Sequence, residues 1–408
     1  MLKSNFIGFS FTLWLVFLIP LIFISCENES YSPAQAESFL KLFGSYQKDV
    51  GYDVKALPDG GFIITGSVMT VSNGNDIVLI RTDKYGNKVW EPKYFGERYN
   101  DAGYSVEALP DGGFVILGYI TDTTVNRNQY TNMYLVRLSS AGETIWTKKY
   151  GGKSEEGKGE IGYDVKTTSD NGFIIVGSTE NFGLGGKDVW LIKTDVNGDT
   201  LWTRTHGGLN DDIGKSVLET SYGYIFTGYT ESFSAPGQAA ANIFVVKTNT
   251  IGKEVFPYTY GSTGNDYGES LTALQGGGYV ITGSSFNPQT GTANALVMKV
   301  EEQIAQITWT KLFGGQVNHY GISVKVTSDN GFIIAGTQEL STSNHNIFLL
   351  KTDPGGAEEY LYTFGGTGLQ RAEAMDIAND EGYIITGSNE HEGNSMITLI
   401  KTKADGNM

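Results

Sequence analysis

A single cysteine in 408 residues leaves no partner for an intramolecular disulfide and no thiolate set for a metal centre. Histidine is nearly as scarce. His206, His319, His345 and His391 share no ligand-like spacing, which argues against a zinc or histidine-based catalytic centre. The chain also lacks a Gly-x-Ser-x-Gly elbow, a P-loop and a Cys/His pair, so common nucleophilic and nucleotide-dependent chemistries have no foothold. Basic residues are outnumbered, 29 Lys and Arg against 45 Asp and Glu, for a net charge of −16. A surface of that sign repels phosphate backbones, so nucleic acid is not an expected partner. Proline is held to 9 positions while glycine reaches 54. With 12% aromatic and 40% hydrophobic residues, that excess of glycine points to packed strands joined by tight turns. It excludes collagen and disorder.

One long apolar run is present, from about Ile7 to Ile24 behind Lys3, in the order of an export signal. Its length also suits an uncleaved membrane anchor. Cys26 discriminates between the two, because the only cysteine follows the run and the small residue Ser25. Phe23-Ile24-Ser25-Cys26 resembles a bacterial lipobox, with Phe23 where Leu is usual. The resemblance implies a signal peptide over residues 1–25, cleavage before Cys26 and attachment of lipid to it. Several acyl chains, at about 0.8 kcal/mol per buried methylene, hold a protein firmly on a membrane. Residues 26–36 then form a linker. Within it, Glu27-Asn28-Glu29-Ser30 is similar to the surface-export signal of lipoproteins in Bacteroidota-type bacteria, and reads equally well as a solvated spacer. The expected setting is the outer membrane or cell surface, as a monomer held by its lipid.

The rest of the chain repeats. A Gly-(Phe/Tyr) pair followed by an apolar run and a further Gly begins at Gly61, Gly113, Gly172, Gly223, Gly278, Gly331 and Gly382. Each copy reads as four short strands. The first follows a glycine and alternates in polarity, as in Gly51-Tyr52-Asp53-Val54; the second is nearly all apolar, as in Phe173-Ile174-Ile175-Val176. The third ends on a basic residue: Arg81, Arg137, Lys193, Lys247, Lys299, Lys351 or Lys401. The fourth carries an aromatic four residues beyond a turn glycine, as in Gly86/Trp90, Gly142/Trp146 and Gly198/Trp202. The last copy stops after its third strand, and its missing fourth lies at the other end. Phe39-Leu40-Lys41-Leu42-Phe43-Gly44 parallels Trp309-Thr310-Lys311-Leu312-Phe313-Gly314. Units too thin to bury both faces alone must stack radially, and a terminal strand that completes the last unit closes the ring. The expectation is an all-β, seven-bladed β-propeller over residues 37–408.

This repeat resembles the glycine-rich propeller repeats of surface lipoproteins of Bacteroidota-type bacteria. Its Asp-x-x-Gly-x-x-x-Trp spacing, as in Asp83/Gly86/Trp90, is also similar to the tryptophan-docking turn of quinoprotein-type and outer-membrane-assembly propellers. That likeness implies blade packing and no quinone; no cofactor is expected.

Two sets of residues are candidates for a site. Asp49, Asp101, Glu160, Asp212 and Asp266 stand two residues before the glycine that opens each first strand; His319 and Gln370 take the place in the last two copies. Five carboxylates near one axis would attract Ca²⁺ or a cationic group, whereas the same residues as local caps would bond the turns between units. Asp195-Val196-Asn197-Gly198-Asp199 starts like a calcium loop, but His206 stands where a bidentate Glu belongs, so a hairpin is the better reading. Tyr99, Tyr119, Tyr130, Phe182, Phe233 and Phe286 fall in the variable loops, which antiparallel geometry gathers on one face. They suit sugar stacking or lids over the core. The expected function is non-catalytic binding of a protein or glycan. The alternatives are an enzyme acting on polysaccharide and a scaffold in outer-membrane assembly.

Overall fold

The computed structural model describes residues 37–408 apart from 71–73, 98, 124–127, 153–156, 234–239 and 303–305. The signal peptide, Cys26 and the linker lie outside the described residues. Every regular element among the described residues is a β-strand, and no helix there is long and apolar enough to cross a membrane.

Val50–Ala56, Phe62–Thr70, Gly74–Thr82 and Lys93–Phe95 pair in sequence order as a four-stranded antiparallel sheet. The pattern returns in sheets that begin with Ala102–Ala108, Glu160–Thr167, Asp212–Thr220 and Asp266–Ala273. The strands from Asn318 onward join Phe39–Gln47 in one eight-stranded sheet. Its two halves meet through a short parallel bridge, Asn344↔Gly368 and His345↔Leu369. At its end Phe39–Gln47 lies antiparallel to Asn394–Lys401, in the register Phe39↔Lys401, Lys41↔Leu399 and Phe43↔Ile397. The N-terminal strand thus occupies the position that the truncated last repeat leaves open.

The apolar second and third strands are buried on both faces; Phe173–Thr179 and Asp188–Thr194 are buried throughout. Fourth strands such as Thr144–Tyr150 alternate toward solvent. Apolar cores lie between successive sheets. Val115 and Leu117 meet Val165 and Ile175, and the same packing joins last to first, where Val54, Phe62 and Ile64 meet Ile384, Ile397 and Leu399. Each first strand neighbours the first strand of the next repeat, and Gly368–Ile377 neighbours Val50–Ala56, which closes a ring. Four-stranded antiparallel sheets set face to face around such a ring are a β-propeller.

Two recurring contacts lock the sheets. Five of the seven basic residues that end third strands are buried and reach back to the Asp of the preceding hairpin. Lys193 meets Asp170 at 2.9 Å, Lys351 meets Asp329 at 2.8 Å, Lys401 meets Asp380 at 2.8 Å, and Arg81 and Arg137 bond Asp59 and Asp111. The fourth-strand aromatic docks on the turn glycine of the following repeat: Trp90 on Gly142, Trp146 on Gly198, Trp202 on Gly252 and Trp309 on Gly356. Phe39 docks on Gly86 in the same way, so the closing strand repeats the contact.

A Cβ at Gly252, where φ is +71°, would stand 2.4 Å from the Trp202 ring; one at Gly291, also at +71°, would meet nothing within 4 Å. Gly291→Ala therefore bears only the left-handed backbone cost of about 1–2 kcal/mol. Gly252→Ala adds overpacking of about 1–3 kcal/mol. Urea unfolding midpoints are expected to separate the two variants, and equal shifts would remove the docking contact from the account.

Candidate ligand site at the ring centre

The first strands of the repeats do not run straight. Each slips register against its second strand just after its opening residue, a glycine in six repeats and Ala372 in the last: between Gly51 and Asp53, Gly103 and Ser105, Gly162 and Asp164, and onward to Ala372 and Ala374. A bulge of this kind leaves one residue outside the ladder and re-aims its side chain. The residues so placed are Tyr52, Tyr104, Tyr163, Lys215, Glu269, Ile322 and Glu373, and all of them line one cavity of about 190 Å³ at the centre of the ring. The bulge lies at the start of each first strand, on the side of the links between repeats.

Below this tier the next residue closes the ring by hydrogen bonds. Asp53 Oδ2 accepts from the Val106 N–H at 2.9 Å, Asp164 Oδ2 from Val217 at 3.0 Å and Ser216 Oγ from Leu271 at 3.4 Å. Each bond crosses to the following repeat and satisfies an N–H next to its bulge. Ala374 has no oxygen to offer, and there Val54 N–H turns to its own neighbour, Asp53 Oδ1, at 2.8 Å. Lower still, cations neutralise these acids. Lys55 pairs with Asp53 at 2.8 Å, and Lys166 pairs with Asp164 and Glu107 at 2.7 Å each.

The upper tier has unequal sides. On one, the Tyr104 ring lies 4.6 Å from Tyr52 and 5.4 Å from Tyr163, with Tyr119 at 5.9 Å. Burial pushes the Tyr52 phenol up to about 12 and Tyr104 further still, so both stay neutral donors. On the other side, the Lys215 ammonium sits 4.4 Å from the Tyr163 ring centre and 3.6 Å from Glu269. Burial pushes the Glu373 carboxyl up to about 7, with Lys215 opposing the shift and Glu269 reinforcing it.

Asp49, Asp101, Glu160, Asp212 and Asp266 do not belong to this lining. Each is buried in the link between repeats. Asp101 accepts from Glu97 N–H at 2.8 Å and Thr121 N–H at 2.7 Å; Asp212 accepts from Gly208 N–H at 2.7 Å and Ser232 Oγ–H at 2.6 Å. Asp49 takes the N–H of Ser45 and of Met69, Glu160 the side chains of Thr179 and Asn181, and Asp266 the N–H of Ser262. This is the capping arrangement, and among the described residues no three His, Cys, Asp or Glu side chains converge as a metal site. Asp195 likewise accepts the N–H of Asn197 and Asp199 inside its hairpin.

The six aromatics expected in loops divide, and three are not in loops: Tyr119, Tyr130 and Phe286 lie in the strands Phe114–Thr123, Gln129–Leu138 and Tyr279–Asn287, whose ladders run past their apolar runs. Tyr130 is buried, Tyr99 is partly buried, and Tyr119 turns toward the central tyrosines. Phe182, Phe233 and Phe286 keep 45%, 44% and 37% of their surface exposed. The first two lie over core rings, Phe182 5.1 Å from Trp190 and Phe233 5.6 Å from Phe244. The central tier escaped the sequence reading because a bulge breaks strict alternation. The available signal was the residue after each opening glycine, where the repeats lose their likeness.

No protein-family model matches the chain. The regulatory protein FlaEY of Caulobacter vibrioides is 25% identical over 364 residues, 82% of this chain and 34% of its own length. The chain thus spans about a third of that relative. Among solved structures, an ulvan lyase of polysaccharide lyase family PL25 superposes with a TM-score of 0.53 at 10% identity, over 90% of this chain and 97% of its own. The WD40 domain of Neurospora crassa Pan2 gives 0.50 at 10% identity, over 86% and 88%. At such identities the likeness establishes the class, a β-propeller, and nothing of its chemistry.

The links also hold a testable pH effect. Burial, with Asp76 and Glu97 close by, raises the Asp101 carboxyl to about 6. Four other repeats carry Asn where Asp76 stands: Asn132, Asn242, Asn294 and Asn346. A carboxyl raised on folding favours the native state fully below its unfolded value, near 4, and loses that contribution as pH climbs through about 6. Asp76→Asn is expected to raise the melting temperature at pH 8 and leave it unchanged at pH 4. An equal shift at both pH values would contradict the repulsion.

Proposed function

We propose that this chain is a seven-bladed β-propeller binding module of the cell envelope, held there by lipid on Cys26, that engages a glycan or protein with its loop-bearing face. The count of seven treats the eight-stranded sheet as two blades, since only the two bridging pairs near Asn344 join its halves. The observation that carries the reading is the contrast between the two ends of the sheets. At one end the turns are stereotyped, six of the seven closed by the same bond, such as Leu57 N–H to Gly61 O and Leu109 N–H to Gly113 O, with a tighter hairpin at Thr220–Gly223. At the other, the loops vary, and they and the end of strand Tyr279–Asn287 present the exposed rings of Phe182, Phe233 and Phe286. A uniform end suits a frame, and a variable end with exposed apolar rings suits recognition.

A second reading, an enzyme acting on polysaccharide, draws on one observation. Glu269 and Glu373 face one cavity in unequal surroundings, as acid–base work requires. The likeness to a polysaccharide lyase is one of fold and adds no weight to it.

On a glycan array, the purified protein is expected to retain a defined set of saccharides and to lose at least tenfold in signal with Phe182→Ala, Phe233→Ala and Phe286→Ala combined. Turnover of the retained saccharide would replace this reading by the enzyme. For the anchor, labelled palmitate should enter the wild-type chain and not Cys26→Ser; equal labelling of both would remove the lipoprotein assignment.

A further inference from the structure

Regular frames make their exceptions informative. In the bulge tier three consecutive repeats place tyrosines, and others place Lys215, Glu269 and Glu373. Packing alone asks for none of these. The structural acids one tier down are bonded to backbone N–H groups and to lysines, whereas Glu373 has no hydrogen bond or ion pair among the described residues. A partly buried carboxyl that faces a cavity without a partner is a group left available to a ligand.

The geometry points to a glycan: we propose that the pocket between the Tyr52, Tyr104 and Tyr163 rings and the Lys215, Glu269 and Glu373 group binds a terminal neutral sugar ring. The inference rests on the binding-module reading above and names where, and with what, such a module would hold a saccharide. A pyranose has an apolar C–H face and a rim of hydroxyls that both donate and accept. The tyrosine wall offers aromatic faces to the first, and the opposite wall offers a donor in Lys215 and acceptors in Glu269 and Glu373 to the second. Near neutral pH, Glu373 passes between carboxyl and carboxylate, so it can also donate to a sugar hydroxyl. The cavity, about 190 Å³, far exceeds the roughly 10–15 Å³ that admits one water.

The lining of the cavity also disfavours the obvious rival. Tyrosine faces beside carboxylates would recognise an ammonium ion. Here that seat is filled from within, because Lys215 lies over Tyr163 with Glu269 beside it. A second cation would meet the first.

The test is saturation-transfer NMR and calorimetry on the full chain in detergent, with the methyl glycosides of glucose, galactose, mannose and xylose as probes. At least one glycoside is expected to bind, with a tenfold or greater loss of affinity in Tyr104→Ala and in Glu373→Ala and no change in Tyr222→Ala, which removes an exposed ring from a hairpin at the other end of the sheets. Circular dichroism melts check that the variants fold. Should Tyr104→Ala fail to do so, the shape-conserving Glu373→Gln and Lys215→Met report the same loss. Glycan binding on the array that falls with the loop phenylalanines but survives Glu373→Gln and Lys215→Met would overturn the pocket and leave the binding module standing. Absence of saccharide binding in both experiments would overturn the pocket and the glycan half of the module's reading, leaving a protein as its partner. Binding of tetramethylammonium in place of every glycoside would overturn the sugar assignment in favour of a cation.

Discussion

Sheets that radiate from an axis must converge there, and convergence leaves no room for side chains where first and second strands cross. Facing glycines meet that constraint. Gly51 pairs with Gly66; a Cβ on Gly66 would stand 2.0 Å from the Val50 carbonyl, and one on Gly51 would stand 2.3 Å from Thr386 of the neighbouring sheet. The slip that follows each opening residue is the companion of this crowding. It turns one residue per repeat toward the axis and leaves an N–H that the neighbouring repeat satisfies at Val106, Val217 and Leu271, and Asp53 satisfies locally at Val54. The frame, the ring of hydrogen bonds and the composition of the cavity are therefore one feature seen at three radii.

Much of this was legible in the chain. Gly-(Phe/Tyr) pairs at intervals of 51 to 59 residues marked the units. The displaced Phe39–Phe43 segment marked the closing strand, which pairs where its likeness to Trp309–Phe313 requires. The basic residues at third-strand ends were visible as a repeat, though not their partners, because Asp170 and Asp380 lie across a hairpin from Lys193 and Lys401. The carboxylates before each opening glycine left two outcomes open, an axial ligand or a local cap. Asp49, Asp101, Asp212 and Asp266 each accept a backbone N–H from four residues upstream, contacts that only coordinates show. Tyr130 and Phe182 read alike as loop residues, yet Tyr130 is buried in the strand Gln129–Leu138 while Phe182 lies exposed between strands, because the ladder of that repeat runs further than its apolar run suggests.

Function separates from fold along the same line. Contacts that recur, such as Trp202 on Gly252 or Lys401 with Asp380, make the scaffold and carry no recognition. Positions that depart from the repeat, the bulge residues and the exposed phenylalanines, hold the unequal chemistry on which the proposed binding rests. Propellers serve many chemistries on one frame, so the unequal positions and not the architecture carry the functional argument. The acid–lysine pairs beneath the tyrosines then have a plain role. They neutralise one another at the centre of a strongly acidic molecule and leave Glu373 as the available carboxyl.

The account stands on ring closure by the N-terminal strand, because only a closed ring gathers the bulge residues around one cavity. Hydrogen–deuterium exchange of Asn394–Lys401, with and without residues 37–48, tests this directly. The account predicts slow exchange of those amides in the whole protein. It predicts fast exchange, with loosening of the Val54–Ile384 core, once the strand is removed. Unchanged protection would mean that the last sheet is complete without it, and the closed ring would be wrong.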